Sequence, residues 1–384
     1  MGSIAREDHV SVGLNGRTSG GGAVSVSLQE LHNGSVSLET LEKAFGPESL
    51  GIIVVRDLPR EFVGLRRKVL SYASYLAGLE DEELAKVEIP EARYNVGWSC
   101  GKEKLDNGQF DTFKGSYYAQ PIHSADGKLE AKARELYPHC PDMTSPNVWP
   151  SEEALPGFEQ IFEQLCRLIV DVAGLVARSC DRYGVAKLEG YPDGTLENIV
   201  RGSVSTKARL LHYFPPPSPK AGTEAGETKG DDDWCGTHMD LGALTGLTSN
   251  MFIDETANSP DAKKAKRDEN GLLADLAELE KHPDPKAGLW IKDRAGRTTQ
   301  VDIPRDCLAF QTGEALQLIT RGKFRAVPHF VRGPASVVGD DGTERKIARN
   351  TLAVFTQPNL WEIVDEQEKL DFSGLAKRVF EKTY

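Results

Sequence analysis

The sequence predicts a mainly β protein with several α-helices, in which short strands form a barrel or a sandwich of two sheets. In the first half of the chain, apolar residues recur at helical spacing, with single strands between the helices. From Lys207 onward, the pattern changes to short alternating or β-branched runs that are separated by turn residues. The runs 289–292 and 298–301 are examples. A regular succession of such strands is typical of barrels and double-sheet sandwiches.

The first elements follow a leader that is rich in Gly and Ser. Residues 1–22 have no sustained apolar period and are predicted to be disordered. Residues 23–27 alternate and predict a short strand, whereas 51–55 predict a buried one. Between these strands, Ser37 is typical of a helix N-cap and Gly46 of the residue that ends a helix.

Two longer amphipathic helices are predicted next, over 62–76 and 158–176. The most apolar stretch of the chain, 165–177, lies in the second of them but contains Arg167 and Asp171. Because a membrane span needs about 20 predominantly apolar residues, this stretch predicts a core helix.

Two polar segments, 217–233 and 255–286, interrupt the strands of the second half. Each is predicted to be an insertion between strands of a single domain that covers 23–384. Helical spacing in the second segment predicts a surface helix that carries Leu272, Leu273, Leu276 and Leu279.

Composition and charge exclude several classes of partner. A hydrophobic fraction of 39% with 27% charged residues is ordinary for a soluble globular protein. The net charge of -12 opposes approach to phosphate backbones and anionic lipid, so neither nucleic acid nor a membrane is an expected partner. The six cysteines lie far apart without a CxxC pair or a secretory leader, which predicts reduced thiols in a cytoplasmic protein.

The first residues that indicate chemistry are His238 and Asp240. On an extended strand, side chains two positions apart point to the same side, so both could bind one metal ion from one face of a sheet. A His-x-Asp pair alone is common by chance, and its surroundings decide its meaning. Downstream, residues 311–317 read QTGEALQ, and residues 320–329 read TRGKFRAVPH and end in His329.

Together these stretches resemble the isopenicillin-N-synthase-like branch of the iron(II)/2-oxoglutarate-dependent oxygenases. In that family the His-x-Asp pair is followed by Gly-x-Leu-Thr, here 242–245, and by a Gly-acid-x-Leu-Gln turn, here 313–317. A strand of the form Gly-Lys-aromatic-basic-x-x-x-His then supplies the third metal ligand. The resemblance covers roughly 24–365 and is strong over 209–358. It implies a double-stranded β-helix (jelly roll, cupin-like) with N-terminal helices packed on one sheet.

The resemblance also implies a metal centre and a co-substrate. His238, Asp240 and His329 would hold Fe(II) and leave three coordination positions for 2-oxoglutarate and dioxygen. The implied reaction is hydroxylation, desaturation or oxidative ring closure of a small molecule at an unactivated C–H bond, with 2-oxoglutarate decarboxylated to succinate. No catalytic side chain beyond the metal ligands is required.

The distal carboxylate of 2-oxoglutarate needs a cation, and arginine suits it because arginine binds carboxylates through two hydrogen bonds. The family places Arg-x-Ser on a late strand, where this chain has Arg349 and Thr351. Alternation puts both on one face, and an inward arginine is costly unless an anion meets it. Arg332 and Arg345 lie nearby and remain alternatives, as does a structural carboxylate partner for Arg349.

Tyr213 precedes an aromatic-Pro pair, as in the corresponding family strand. The resemblance implies that its hydroxyl binds the same carboxylate, and a plain core tyrosine is the alternative. The asparagine that is usual two positions earlier is Leu211 here. His212 should point away from Tyr213 and be structural, and His282 should be solvated.

Substrate contacts are expected from inward residues near the iron, with Phe355 first and Ile347 on the same face. Aromatic residues between 94 and 118 could form a pocket wall, although most are more simply core. Two other functions stay open: an iron-dependent oxidase that takes all electrons from its substrate, and a non-catalytic small-molecule-binding relative. The pair of Arg349 and Thr351 disfavours the oxidase, and the intact ligand set disfavours the non-catalytic relative.

Overall fold

The computed structural model describes residues 22–103, 110–215, 235–280, 284–293, 296–333, 337–338 and 342–383. The leader predicted over 1–22, apart from Gly22, lies outside the described residues. So do the insertion predicted over 217–233 and His282.

The helices of the described residues are numbered in chain order. They are α1 (Leu28–His32), α2 (Leu38–Phe45), α3 (Glu61–Ala77), α4 (Asp81–Ala85), α5 (Lys128–Leu136), α6 (Pro141–Thr144), α7 (Phe158–Lys187), α8 (Thr195–Gly202), α9 (Glu314–Ile319) and α10 (Phe372–Thr383). A short 3-10 helix covers Pro90–Ala92.

The strands are numbered in the same way. They are β1 (Val24–Ser27), β2 (Ile52–Arg56), β3 (Gly97–Cys100), β4 (Lys114–Ala119), β5 (Lys207–Tyr213), β6 (Cys235–His238), β7 (Leu244–Thr248), β8 (Met251–Asp254), β9 (Gly288–Lys292), β10 (Thr298–Val301), β11 (Leu308–Thr312), β12 (His329–Arg332), β13 (Val337–Val338), β14 (Glu344–Arg345), β15 (Ile347–Thr356), β16 (Ile363–Asp365) and β17 (Leu370–Asp371).

The early elements match the predictions from sequence. Strands β1 and β2 lie where alternation and a buried run predicted them, and they pair in parallel. The Ser37 hydroxyl accepts a hydrogen bond from the Thr40 amide at 3.0 Å and caps helix α2. At the other end of α2, the Gly46 amide donates to the Glu42 carbonyl at 2.8 Å. Helices α3 and α7 cover the two predicted amphipathic stretches.

Two sheets face each other and form the centre of the molecule. Among the described residues, the larger sheet has nine strands in the order β1-β2-β11-β7-β15-β5-β4-β3, with β8 also paired to β15. The smaller sheet has the order β10-β9-β12-β6. Apolar side chains of both sheets meet in one buried cluster, which includes Val54 and Ala309 of the larger sheet and Ile291 and Val301 of the smaller. The expectation of short strands in two facing sheets is confirmed.

Helices α3 and α7 cover the outer face of the larger sheet. The 30 residues of α7 extend about 45 Å at the usual helical rise. Ile169 on α7 lies so close to Gly246 on β7 that an added Cβ would come within 2.4 Å of its side chain, so glycine permits this approach. The stretch 165–177 is therefore part of a core helix, as predicted. No helix in the described part of the chain is long and apolar enough to cross a membrane.

The surface helix predicted within 255–286 is wrong. Between β8 and β9 the chain runs without a helix in its described residues, and Leu273 and Leu276 are buried against α3. Side chains of α3 bind the backbone here: the Leu273 amide donates to the Tyr72 hydroxyl at 2.8 Å, and the Leu276 amide donates to the Ser71 hydroxyl at 3.0 Å. Because these side chains satisfy the backbone groups that a helix would pair internally, the extended path is stable.

Candidate active site

A cleft opens between the two sheets. Its volume, open mouth and adjoining solvent included, is about 690 Å³. The larger sheet contributes polar side chains to it from β5 and β15, and the smaller sheet contributes apolar ones such as Leu289 and Val301. All three predicted metal ligands, His238, Asp240 and His329, line this cleft.

The three predicted ligands converge at one point. One nitrogen or oxygen atom from each residue lies within 4.8 Å of the other two. The Asp240 Oδ1 atom is 3.8 Å from His238 Nε2 and 3.7 Å from His329 Nε2. His238 ends strand β6 and Asp240 follows it, while His329 begins β12, the strand that pairs with β6. Two imidazoles and one carboxylate in this arrangement can hold a divalent metal ion.

Each imidazole is held through its Nδ1 atom. In His238, Nδ1 lies 2.8 Å from the Gly236 carbonyl, which only accepts, so Nδ1 carries the proton. In His329, Nδ1 lies 3.2 Å from the Val327 carbonyl and 2.7 Å from the Gln311 side-chain amide. A half-turn of that amide exchanges its oxygen and nitrogen and gives a second acceptor for the Nδ1 proton. Both Nε2 atoms are therefore the ones that could bind a metal ion.

Asp240 is fixed from two sides. The Thr245 hydroxyl donates to its Oδ2 atom at 2.6 Å, and the Glu314 amide donates to its backbone carbonyl at 2.8 Å. The following turn leaves no space for side chains, since a Cβ added to Gly313 would lie 2.1 Å from the Gly242 carbonyl oxygen. The two glycine motifs seen in the sequence thus orient the carboxylate toward the imidazoles.

Burial lowers the pKa of the His329 imidazole below its ordinary value, although the nearby Asp240 carboxylate acts in the opposite direction. His329 is therefore biased toward its neutral form. The neutral imidazole is the form that binds a metal.

Arg349 lies inside the same cleft. Its guanidinium donates to the Asn250 side-chain oxygen at 2.6 Å and stacks over the Tyr213 ring, 4.6 Å from the ring centre. Thr351 lines the cleft two residues further along β15 and donates to the Thr248 carbonyl at 3.4 Å. The predicted alternation of β15 is confirmed, because Arg349, Thr351 and Phe355 all face the cleft. Tyr213 reaches Arg349 through its ring.

The alternatives to these residues lie elsewhere. Neither Arg332 nor Arg345 lines the cleft, and Arg345 is half exposed beside Asp254. Ile347 is buried but does not line the cleft either. Among the aromatic residues of 94–118, Trp98 and Tyr117 are buried in the core, as the simpler interpretation had it, whereas Tyr118 is buried under the Arg209 guanidinium.

Arg209 is a cleft residue that sequence reasoning missed. It lies on β5 and faces the cleft beside Leu211 and Tyr213, opposite Ala353 on β15. Because strand residues two apart share a face, the prediction for Tyr213 already implied that Arg209 would point inward.

An ion-pair cluster surrounds Arg209. Its guanidinium donates to Glu103 at 2.6 Å and to the Ser116 hydroxyl at 2.8 Å. Lys114 lies 2.9 Å from Glu103 and 3.0 Å from Asp111. Burial alone would raise the pKa of Glu103, but the charges of Arg209 and Lys114 outweigh it and hold that pKa well below its ordinary value. Within the described part of the chain, two cations and two carboxylates balance each other in this cluster.

His212 is structural, as predicted, and belongs to a buried network behind β5. Its Nδ1 atom donates to the Asn350 side-chain oxygen at 2.8 Å, and the Asn350 amide donates to the Ser74 hydroxyl at 2.8 Å. Glu255 lies close by, with 3.9 Å between its Oε1 atom and His212 Nε2. Burial lowers the pKa of His212 from 6.5 to about 4 and raises the pKa of Glu255 from 4.5 to about 7.

These two pKa shifts have opposite effects on stability in acid. Between pH 6.5 and 4.5, the unfolded chain protonates His212 while the folded chain keeps it neutral, so acid destabilises the fold. Glu255 is protonated in the folded chain and ionised in the unfolded chain, so acid stabilises the fold. We expect Glu255→Gln to lose about 2 kcal/mol more unfolding free energy than wild type over this interval. Urea unfolding at both pH values measures it, and parallel curves would contradict the assignment.

This fold is that of the Fe(II)/2-oxoglutarate-dependent oxygenases. A full-length Neurospora crassa protein, solved in complex with alpha-KG, has a TM-score of 0.61 and 18% identity, over 94% of this chain and 98% of that one. A candidate 2OG-Fe(II) oxygenase family protein from Caulobacter crescentus has a TM-score of 0.61 and 16% identity, over 95% and 100%. The rice dioxygenase for auxin oxidation has a TM-score of 0.52 and 15% identity, over 94% and 95%.

No protein-family model matches the sequence, and no curated protein is similar to it. At these low identities the likeness is one of fold. The assignment of chemistry to this chain therefore depends on its own site residues.

Proposed function

We propose that this chain is a non-haem Fe(II)- and 2-oxoglutarate-dependent oxygenase that oxidises a small molecule. The observation that carries the proposal is one cleft that combines two requirements. At one position His238, Asp240 and His329 converge, and at another Arg349 provides a cation for a carboxylate. In this proposal the two facing sheets are a double-stranded β-helix, the jelly roll of cupins, with 23–384 as a single domain.

The three metal-binding side chains fit iron. Arg349 and Thr351, here called the clamp, fit the distal carboxylate of a 2-oxo diacid. Two imidazoles and one carboxylate leave open coordination positions, as sites that bind both a co-substrate and dioxygen require. Arg349 would bind the distal carboxylate of 2-oxoglutarate, with the Thr351 hydroxyl beside it. The Tyr213 ring would stack against the guanidinium and hold it in place. When bound, Fe(II) would supply the redox chemistry that couples dioxygen to decarboxylation of 2-oxoglutarate.

The remaining cleft residues would orient the reactants and exclude water. Thr245 would keep the Asp240 carboxylate in its binding orientation. Apolar side chains of both sheets, among them Leu247 of the larger and Leu289 of the smaller, line the cleft and would keep water from the reacting groups. None of these residues needs to form a covalent bond with the substrate.

The proposal is tested by adding Fe(II) and 2-oxoglutarate to the protein without oxygen. A weak visible charge-transfer band should appear and should saturate at one 2-oxoglutarate per chain. An iron-dependent oxidase on this fold would bind iron but give no such band, and a non-catalytic relative without the metal would give neither. The inward Arg349 favours the oxygenase over both alternatives. The cytoplasmic location stays a prediction.

Substrates are proposed to be small molecules with an uncharged hydrogen-bond acceptor. The Neurospora crassa protein has also been solved with alpha-KG and thymine, and JOX2 with 2OG, Fe and JA. In this chain Phe355 lines the cleft near Asp240, since Thr245, which binds Asp240, pairs with Phe355. Arg209 lines the same cleft opposite Ala353, two residues before Phe355. Because the carboxylates around Arg209 already balance its charge, the cluster suits a carbonyl better than a second carboxylate.

This assignment predicts which substrates stimulate succinate release. In a panel of amide and carboxylate pairs that share the same ring, we expect the amide members to be the active ones. Arg209→Met should lower that stimulation about 10-fold or more, because the substrate loses a hydrogen bond to a charged group. 2-Oxoglutarate should bind this variant as it binds wild type. The exposed Arg297→Met is the matched control. Stimulation by the carboxylates, or by amides in Arg209→Met, would contradict the prediction.

A further inference from the structure

We infer that the segment 255–280 positions the arginine that binds the co-substrate, through a chain of contacts from Glu278 to Arg66, to Asn250 and on to Arg349. The inference rests on the proposed function, since it concerns the 2-oxoglutarate end of the same cleft. Glu278 and Arg66 would act as positioning residues, because neither lines the cleft.

The first link is a buried ion pair between the segment and helix α3. Arg66 is 1% exposed, and its two terminal nitrogens bind the two carboxylate oxygens of Glu278 at 2.9 and 3.1 Å. Glu278 also lies 3.1 Å from the Arg305 guanidinium. A fork of this kind fixes the orientation of both side chains.

The second link runs from Arg66 to the backbone before strand β8. The same Arg66 nitrogen that binds Glu278 also donates to the Asn250 carbonyl at 2.8 Å and to the Ser249 carbonyl at 3.3 Å. One orientation of the guanidinium thus serves both Glu278 and these carbonyls. The backbone position of Asn250 therefore depends on the ion pair.

The third link is the contact of Asn250 with the clamp. The Asn250 side-chain oxygen accepts the 2.6 Å hydrogen bond from Arg349, and Asn250 itself lines the cleft. A shift of the Asn250 backbone would carry its side chain along and would change where the guanidinium is held. A displacement of about 1 Å in a substrate-positioning group can lower activity by two orders of magnitude.

The segment also holds β8 directly. Glu278 forms a β-bridge with Ile253, and the Leu279 amide donates to the Phe252 carbonyl at 2.9 Å. Phe252 is in turn the β8 residue that pairs with Arg349 on β15. Backbone and side-chain contacts thus lead from the segment to the same residue, which gives an otherwise unassigned part of the chain a role at the site.

The test uses two 2-oxo acids that differ only in the distal group, which Arg349 would bind. 2-Oxovalerate has the same carbon chain as 2-oxoglutarate but no distal carboxylate, so it chelates iron without needing Arg349. Both are titrated into the anaerobic Fe(II) protein, and the chelate absorbance gives their dissociation constants. In Glu278→Gln, 2-oxoglutarate should bind about 3- to 30-fold more weakly, the usual range for coupled networks, while 2-oxovalerate binds as in wild type.

A second variant distinguishes the positioning role from a general loss of folding. Arg66→Lys keeps a buried cation for Glu278 but loses the fork that also reaches the Asn250 carbonyl. It should weaken 2-oxoglutarate selectively, as Glu278→Gln does. In the matched control, Lys263→Gln breaks the exposed pair between Lys263 and Glu80, which also ties the segment to the rest of the chain, and it should change neither constant.

The outcomes separate this inference from the proposed function. If wild type gives no chelate with either acid, the proposed function fails. If wild type binds 2-oxoglutarate and the Glu278 and Arg66 variants weaken both acids equally, or neither, the proposed function stands and the positioning role is overturned. A loss confined to 2-oxoglutarate supports the positioning role.

Discussion

Replacing Asp240 by Ala is expected to abolish Fe(II) binding and all succinate release. Asp240 is the one carboxylate of the three convergent residues, and its Oδ1 atom lies 3.8 and 3.7 Å from the Nε2 atoms of His238 and His329. Loss of an outer hydrogen-bond partner already costs metal sites about 10- to 100-fold in affinity, so loss of a ligand should exceed this range. Anaerobic titration with Fe(II), followed by the chelate absorbance with 2-oxoglutarate, measures the effect.

The fold should survive this substitution, which separates the metal site from general stability. Asp240 is buried, and a buried carboxylate is costly unless a cation meets it, so its removal should not destabilise the metal-free fold. Far-UV circular dichroism of the metal-free variant should match wild type. Asp171→Ala, at an exposed carboxylate on α7, is the control and should keep full Fe(II) affinity. Retained turnover in Asp240→Ala would place the metal elsewhere.

Local geometry predicted which side chains of this site share a face, whereas the choice of His329 and the role of Arg349 came from the resemblance to the oxygenase family. A His-x-Asp pair on extended backbone places two side chains on one side, and alternation along β15 decided that Arg349 and Thr351 share a face. Gly242 and Gly313 belong to the motifs that carry the resemblance, and in the structure a Cβ on Gly313 would meet the Gly242 carbonyl. Such features need only a few neighbouring residues to be read.

The parts that were missed depend on contacts between distant stretches. The leucines of 255–286 have helical spacing, but their backbone partners are side chains of α3, which lie 201 and 205 residues earlier in sequence. Asn250 binds Arg349 because β8, which follows Asn250, pairs with β15, and no local sequence pattern predicts that pairing. Arg209 is different, because it lies on the same strand as Tyr213 and alternation alone predicts that both point inward.

Replacing Arg349 by Ala is expected to weaken 2-oxoglutarate binding by about 30-fold or more, because truncating one partner of a buried charge pair costs at least about 2 kcal/mol. 2-Oxovalerate should bind this variant as it binds wild type. Anaerobic chelate titrations with both acids give the two constants. Arg345→Ala is the matched control, since Arg345 is nearby in sequence with the same alternation but is half exposed and outside the cleft.

This comparison also decides between the two functions that share the metal site. An oxidase that takes every electron from its substrate has no use for a distal carboxylate, and its inward arginine would serve only packing against Tyr213 and Asn250. In that case Arg349→Ala would alter stability but not the preference between the two acids. Unchanged preference would therefore remove 2-oxoglutarate from the proposal while leaving the iron site intact. A preference that disappears with the guanidinium would show that the cation is in the cleft for the co-substrate.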